Sequence, residues 1–215
     1  MKIQSDSKLL MIGDSITDCG RARPIGEAQG DSLGTGYVSI VNACLTSTLP
    51  QSGIRVVNMG VSGDTVRDLA ARWDSDVMAL NPDWLSIMIG INDVWRMFDT
   101  WLQTERHIDL EEYNQTLEML IRTTQPHLKG LVLMTPYFIE PNRADPMRAK
   151  MDEYGAVVRN LAKRYAALLV DTQAAFDEVL TELHPMMLAE DRVHPNSTGH
   201  MILARAFLKT IEYSW

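Results

Sequence analysis

Five short apolar runs recur along this chain, at residues 8–12, 54–58, 84–89, 131–134 and 168–170. Each is followed by a polar or glycine-bearing turn, and then by a stretch whose apolar residues return every three or four positions. An apolar run of that length is the signature of a strand covered on both faces, and the longer period is that of an amphipathic helix. Strand and helix in strict alternation leave few options. Parallel strands joined by helical crossovers build an α/β domain, here a three-layer α/β/α sandwich around a central parallel sheet of about five strands. A flavodoxin-like strand order, 2-1-3-4-5, is the expected arrangement.

The helical stretches carry their own punctuation. Tyr37, Ile40, Val41, Cys44 and Leu45 share one face. Val66, Leu69, Ala70, Trp73, Val77 and Leu80 form a second stripe, with Asp64 or Thr65 as its N-cap and Pro82 as its stop. Asp109 and Glu112 have capping-box spacing ahead of Tyr113, Leu117, Leu120 and Ile121. Asp145 followed by Pro146 opens a helix through Met151, Tyr154, Val158 and Leu161. Further helices are expected around residues 176–183 and through Ile202, Leu203, Ala206 and Phe207. Residues 19–36 and 90–108 read as long irregular segments, and long loops in compact domains tend to serve function.

With 215 residues and 46% hydrophobic content, one domain spanning 1–215 is expected. The formal net charge is −8 and no basic stripe appears, which argues against nucleic acid and anionic membranes as partners. No apolar stretch reaches membrane-spanning length, and the short apolar run after Lys8 does not suit a signal peptide. Cys19 and Cys44 form no disulfide framework and no metal-ligand spacing. A cytoplasmic protein with reduced thiols, no metal and no cofactor is the expectation.

In an open parallel sheet, ligands bind where the strands end. After the first run come Asp14 and Ser15, after the second Gly63, and after the third Asn92. Asp191 and His194 stand in the polar segment before the last helix. Gathered at one edge, these supply every part needed for acyl transfer through a covalent intermediate. Ser15 would attack and His194 would take its proton. Asp191, three positions earlier, would orient the imidazole. The backbone N–H groups of Ser15 and Gly63 and the Asn92 amide would stabilise the oxyanion. His200 competes with His194 as the base, but it lies inside the last helical pattern. Asp14, Trp95, Trp101 and Arg21 are candidate substrate contacts. The two tryptophans could form a sugar-stacking wall or pack their loop, and Arg21 and Arg23 could serve substrate, an ion pair or a subunit contact.

Four blocks in order, GDSIT at residues 13–17, NMGVSGDT at 58–65, GIND at 90–93 and DRVHP at 191–195, resemble the SGNH hydrolases of the GDSL type over nearly the whole chain. The resemblance implies Ser15 as nucleophile, Gly63 and Asn92 in the oxyanion hole, and Asp191 with His194 completing the triad. The runs GDSITDCGRARP, LGTGYV and IGINDVWR are similar to intracellular bacterial acetylxylan esterases within that family. That narrower resemblance implies a small acetylated carbohydrate, such as an acetylated xylo-oligosaccharide, as substrate, and a homo-oligomer. A short-chain lipid or aryl esterase, or a thioesterase, on the same machinery is the alternative. A carbohydrate-binding module that kept the fold is a further one, though it has no need of a base and its orienter.

Overall fold

The computed structural model describes residues 1–27 and 30–214. Among the described residues, six strands form one sheet: β1 (Lys8–Gly13), β2 (Gly26–Glu27), β3 (Arg55–Asn58), β4 (Trp84–Met88), β5 (Gly130–Met134) and β6 (Leu168–Val170). Their order is β2-β3-β1-β4-β5-β6. Every pairing is parallel except that of β2 with β3. The five expected strands therefore take the order 2-1-3-4-5. The sixth is a two-residue antiparallel addition from the segment read as a loop, where Gly26 and Glu27 pair with Asn58 and Val57. So short a strand carries no readable alternation.

Among the described residues, eight α-helices accompany the sheet: α1 (Ser15–Asp18), α2 (Tyr37–Thr48), α3 (Val66–Ala71), α4 (Ile91–Asp99), α5 (Leu110–Thr124), α6 (Pro146–Arg164), α7 (Thr172–Val179) and α8 (Ser197–Thr210). Helix α8 packs on α2 and α7, while α5 packs on α3 and α6, and α6 on α4. Right-handed crossovers explain this division, since the chain moves one way from β1 to β3 and the other way thereafter. At the centre, Leu9, Leu10, Met11 and Ile12 of β1 are all fully buried. Truncating such a residue to alanine costs about 2–5 kcal/mol.

Two helical boundaries differ from expectation. The stripe from Val66 to Leu80 is not one helix: α3 ends at Ala71 and a π-helical turn, Asp74–Met78, follows. Thr65 is the N-cap, in a reciprocal capping box with Asp68. The segment 90–108 is not wholly irregular, because α4 occupies its first half. Ile91, Val94, Trp95 and Phe98 do have helical spacing. Ile91 and Val94 are buried with Asn92 and Asp93, while Phe98 is exposed. Two buried polar residues in the first turn and an exposed aromatic in the last obscure the stripe.

Candidate active site

The carboxyl ends of β1, β3 and β4 deliver three loops to one edge. At the end of β1, a side chain on Gly13 would place its Cβ 2.2 Å from the Met88 carbonyl oxygen, so the strand enters the turn with no room to spare. Asp14 caps α1 by accepting the Ile16 N–H at 3.0 Å, and Ser15 is the first residue of that helix. Asp14 is thus a buried structural cap, and not the substrate contact expected of it: it is 1% exposed. Burial pushes its carboxyl up to about 7, with Asp93 and Asp64 adding to the rise.

Ser15 Oγ and His194 Nε2 lie 2.8 Å apart, and His194 Nδ1 lies 2.6 Å from Asp191 Oδ2. Local geometry makes the second contact. Asp191 Oδ1 accepts the N–H groups of Val193 (2.9 Å) and His194 (2.8 Å), closing a turn that brings carboxylate and imidazole together. Arg192 within that turn holds φ +63°. Such backbone is unfavourable for a side-chain-bearing residue and is kept by its surroundings. The segment after β5 supplies them: Ile139 N–H donates to the Arg192 carbonyl (2.9 Å), and Tyr137 Oη–H donates to the Val193 carbonyl (3.2 Å). Arg192 also pairs with Glu140 at 2.6 Å and covers the Phe138 ring. Desolvation alone would raise the Asp191 carboxyl, but the hydrogen bonds from His194 and Val193 outweigh it and hold it below its ordinary value. The carboxylate is therefore ionised at neutral pH and favours the Nδ1–H tautomer, leaving Nε2 free to accept a proton from Ser15.

His200 is excluded as the base. Its Nδ1 accepts the Tyr37 N–H at 3.2 Å, and its Nε2 lies 3.3 Å from Cys19 Sγ. Burial depresses its pKa to about 4. It is a neutral packing residue joining α8 to the end of α1.

The N–H groups of Ser15 and Gly63 have no hydrogen-bond partner among the described residues. Gly63 holds φ +88°, and a Cβ built on it meets nothing within 4 Å. Glycine is required there by backbone conformation and not by crowding. Asn92 is 2% exposed and donates one amide hydrogen to the Asp64 carbonyl at 2.9 Å. Arg96 Nη2, one turn along α4, donates to its Oδ1 at 3.3 Å, which fixes the orientation of the amide. Asp93 accepts the Val66 N–H at 3.0 Å and ties α4 to the start of α3. Its other oxygen is buried with no partner among the described residues.

Of the remaining candidates, Trp95 lies beside the triad, its ring 5.7 Å from that of His194 and tilted by 57°. Trp101 is 65% exposed at the end of the α4 segment. Arg21 is another correction. It is buried, and its guanidinium is spent on the carbonyls of Gly60 (2.8 Å), Ala22 (3.0 Å) and Pro24 (2.7 Å), which tie residues 21–24 to the turn after β3. Arg23 pairs with Asp18 at 2.7 Å, and Asp18 in turn accepts the N–H and hydroxyl of Ser62.

Sequence reasoning missed Asn58. Fully buried, it donates to the carbonyls of Thr17 (2.6 Å) and Leu33 (2.8 Å) and accepts the Gly60 N–H (2.9 Å). An asparagine closing an apolar strand just before a glycine-rich block is the signal that could have found it. No group of three or more His, Cys, Asp or Glu residues among those described could hold a metal ion. A groove of about 770 Å³ between β6, α7 and α8 includes none of the triad residues.

A serine nucleophile, its histidine base and an orienting aspartate at the carboxyl edge of a doubly wound sheet define a serine acyl hydrolase. The chain belongs to the GDSL-like lipase/acylhydrolase family, whose model matches residues 11–202. It is 60% identical, over 100% of its own length and 98% of the relative's, to an acetylxylan esterase of Geobacillus stearothermophilus. It is also 28% identical, over 85% of its length and 81% of the relative's, to thioesterase 1/protease 1/lysophospholipase L1 of Escherichia coli K12. The crystal structure of the Geobacillus enzyme, Axe2, superposes with a TM-score of 0.99 over 100% of this chain and 98% of that one. Catalytic mutants of Axe2 carry S15A, D191A or H194A, and this chain has the same three residue types at the same numbers.

Proposed function

We propose that the protein is an acetylxylan esterase that removes acetyl groups from acetylated xylo-oligosaccharides. One observation carries the chemistry: the unbroken hydrogen-bonded relay from Asp191 through His194 to Ser15, at 2.6 and 2.8 Å. The 60% identity to the Geobacillus enzyme supports the substrate.

The steps follow from the geometry. Ser15 Oγ attacks the acetyl carbonyl as His194 Nε2 takes its proton, and Asp191 stabilises the imidazolium that forms. The carbonyl oxygen becomes an oxyanion facing the Ser15 and Gly63 N–H groups and the second hydrogen of the Asn92 amide. The Asn92 amide is held by Asp64 and Arg96, so it needs little reorganisation as charge develops. His194 returns the proton to the departing sugar hydroxyl, leaving acetyl-Ser15. A water molecule, deprotonated by the same imidazole, then attacks acetyl-Ser15, and the imidazolium returns the proton to Ser15 Oγ as acetate leaves. Trp95 borders His194, where the leaving alcohol must sit, and supplies an aromatic face for a pyranose ring.

Acetate release from acetylated xylo-oligosaccharides, measured beside aryl esters of increasing acyl length, tests this reading. Efficient release from the sugar and a steep fall in kcat/KM from acetyl to butyryl are expected. Preference for octanoyl over acetyl would replace it with the lipase or thioesterase alternative.

A further inference from the structure

One partly buried cation touches two of the three segments that carry an oxyanion donor, and also the residue that holds the third. Arg72 lies just past the end of α3 with its side chain 15% exposed. Its Nε donates to Asp64 Oδ2 at 2.6 Å and its Nη2 to the Gly13 carbonyl at 3.0 Å. Its Nη1 donates to the Met59 carbonyl at 2.8 Å and to Asp76 Oδ2 at 2.8 Å. Gly13 stands two residues before Ser15, Met59 directly follows β3 ahead of Gly63, and Asp64 follows Gly63. The Asp64 carbonyl is in turn the acceptor that holds the Asn92 amide.

We propose that Arg72 is a positioning residue for the reaction: its guanidinium locks the Ser15, Gly63 and Asn92 donors into one mutual geometry. The proposal rests on the esterase reading above. Four charge-assisted bonds from three nitrogens of a rigid plane span three chain segments. A lysine ammonium presents three donors from one point and cannot reach all of them, although it keeps the charge. Arg72 touches no reacting atom, so its effect must travel through the donors. An oxyanion donor displaced by a fraction of an ångström loses transition-state stabilisation and leaves ground-state binding nearly untouched.

The test is a double-mutant cycle on acetyl-ester hydrolysis, with melting temperature read alongside. Arg72→Lys should lower kcat about 10- to 100-fold with KM changed less than about threefold. In an Asn92→Ala background the same substitution should cost only about threefold, because the geometry it protects has already lost one donor. Asp64→Asn weakens the 2.6 Å contact but keeps the backbone carbonyl, and should show a smaller loss with the same non-additivity. It carries the test if Arg72→Lys does not fold. Three results overturn the proposal: a folded Arg72→Lys enzyme with kcat within twofold of wild type, a full additional loss in the Asn92→Ala background, or a loss expressed in KM. A wild-type enzyme that hydrolyses no ester at all overturns the esterase reading, and this proposal with it.

Discussion

Replacing Asp93 by asparagine should flatten the pH dependence of stability. Asp93 is fully buried, one oxygen holds the Val66 N–H, and the other has no partner among the described residues. Burial pushes its carboxyl up to about 7 from the ordinary 3.8, with Asp68 and Glu112 adding to the rise. Between those two values the unfolded chain has released this proton and the folded chain still holds it. Folding therefore retains a proton, and stability falls as pH rises through that window. Integrating from pH 5 to pH 8 gives a loss of roughly 2–3 kcal/mol from this one group. Asp14, also held near 7 and raised in part by Asp93, changes in the same direction. An asparagine cannot ionise and still offers an oxygen to Val66. Its amide hydrogens in the unpartnered position cost about 1–3 kcal/mol at every pH, so the slope and not the absolute stability is the readout. Urea unfolding of both proteins at pH 5 and pH 8 should show wild type losing roughly 2–3 kcal/mol more than Asp93→Asn across the interval. Parallel curves would mean that Asp93 ionises normally where it lies, and would remove the buried-acid account.

Other expected outcomes concern the chemistry. Ser15→Ala should abolish ester turnover with the melting temperature preserved, and a sulfonyl fluoride should label Ser15 of the wild type alone, as peptide mass mapping would show. Asn92→Ala should lower kcat about 10²- to 10³-fold with little change in KM; a loss confined to KM would make Asn92 a binding residue instead. His194→Ala should match Ser15→Ala in severity, whereas His200→Ala should lower stability and leave measurable turnover, and the reverse ranking in steady-state assays would contradict the observed relay. Trp95→Ala should reduce kcat/KM about tenfold on acetylated xylo-oligosaccharides and much less on an aryl acetate, while Trp101→Ala should leave that ratio unchanged. Equal losses on both substrates would deny Trp95 a sugar contact.

The sequence by itself determined the α/β/α layering, because hydrophobic period reports which face of each element is buried, residue by residue. It also located the chemistry. Ser15, Gly63 and Asn92 each follow an apolar strand, and a parallel sheet gathers strand ends at one edge. Asp191 and His194 were legible for a different reason: they are three residues apart, and one turn suffices to join them. Long-range partnership was decided only by the tertiary structure. Asp14, beside the nucleophile, and Arg21, in the loop after it, looked free for substrate until folding committed one to capping α1 and the other to three carbonyls. Arg72 showed nothing in sequence, and Asn58 only its place at the end of an apolar strand, since their partners lie on other segments and backbone carbonyls are the same in every residue type. Strand β2 escaped notice because two residues have no period, and α4 because its first turn buries two polar side chains. Periodicity encodes burial, which is a property of one position. Positioning depends on which donor meets which acceptor across the chain, and that exists only once the sheet has closed the distance.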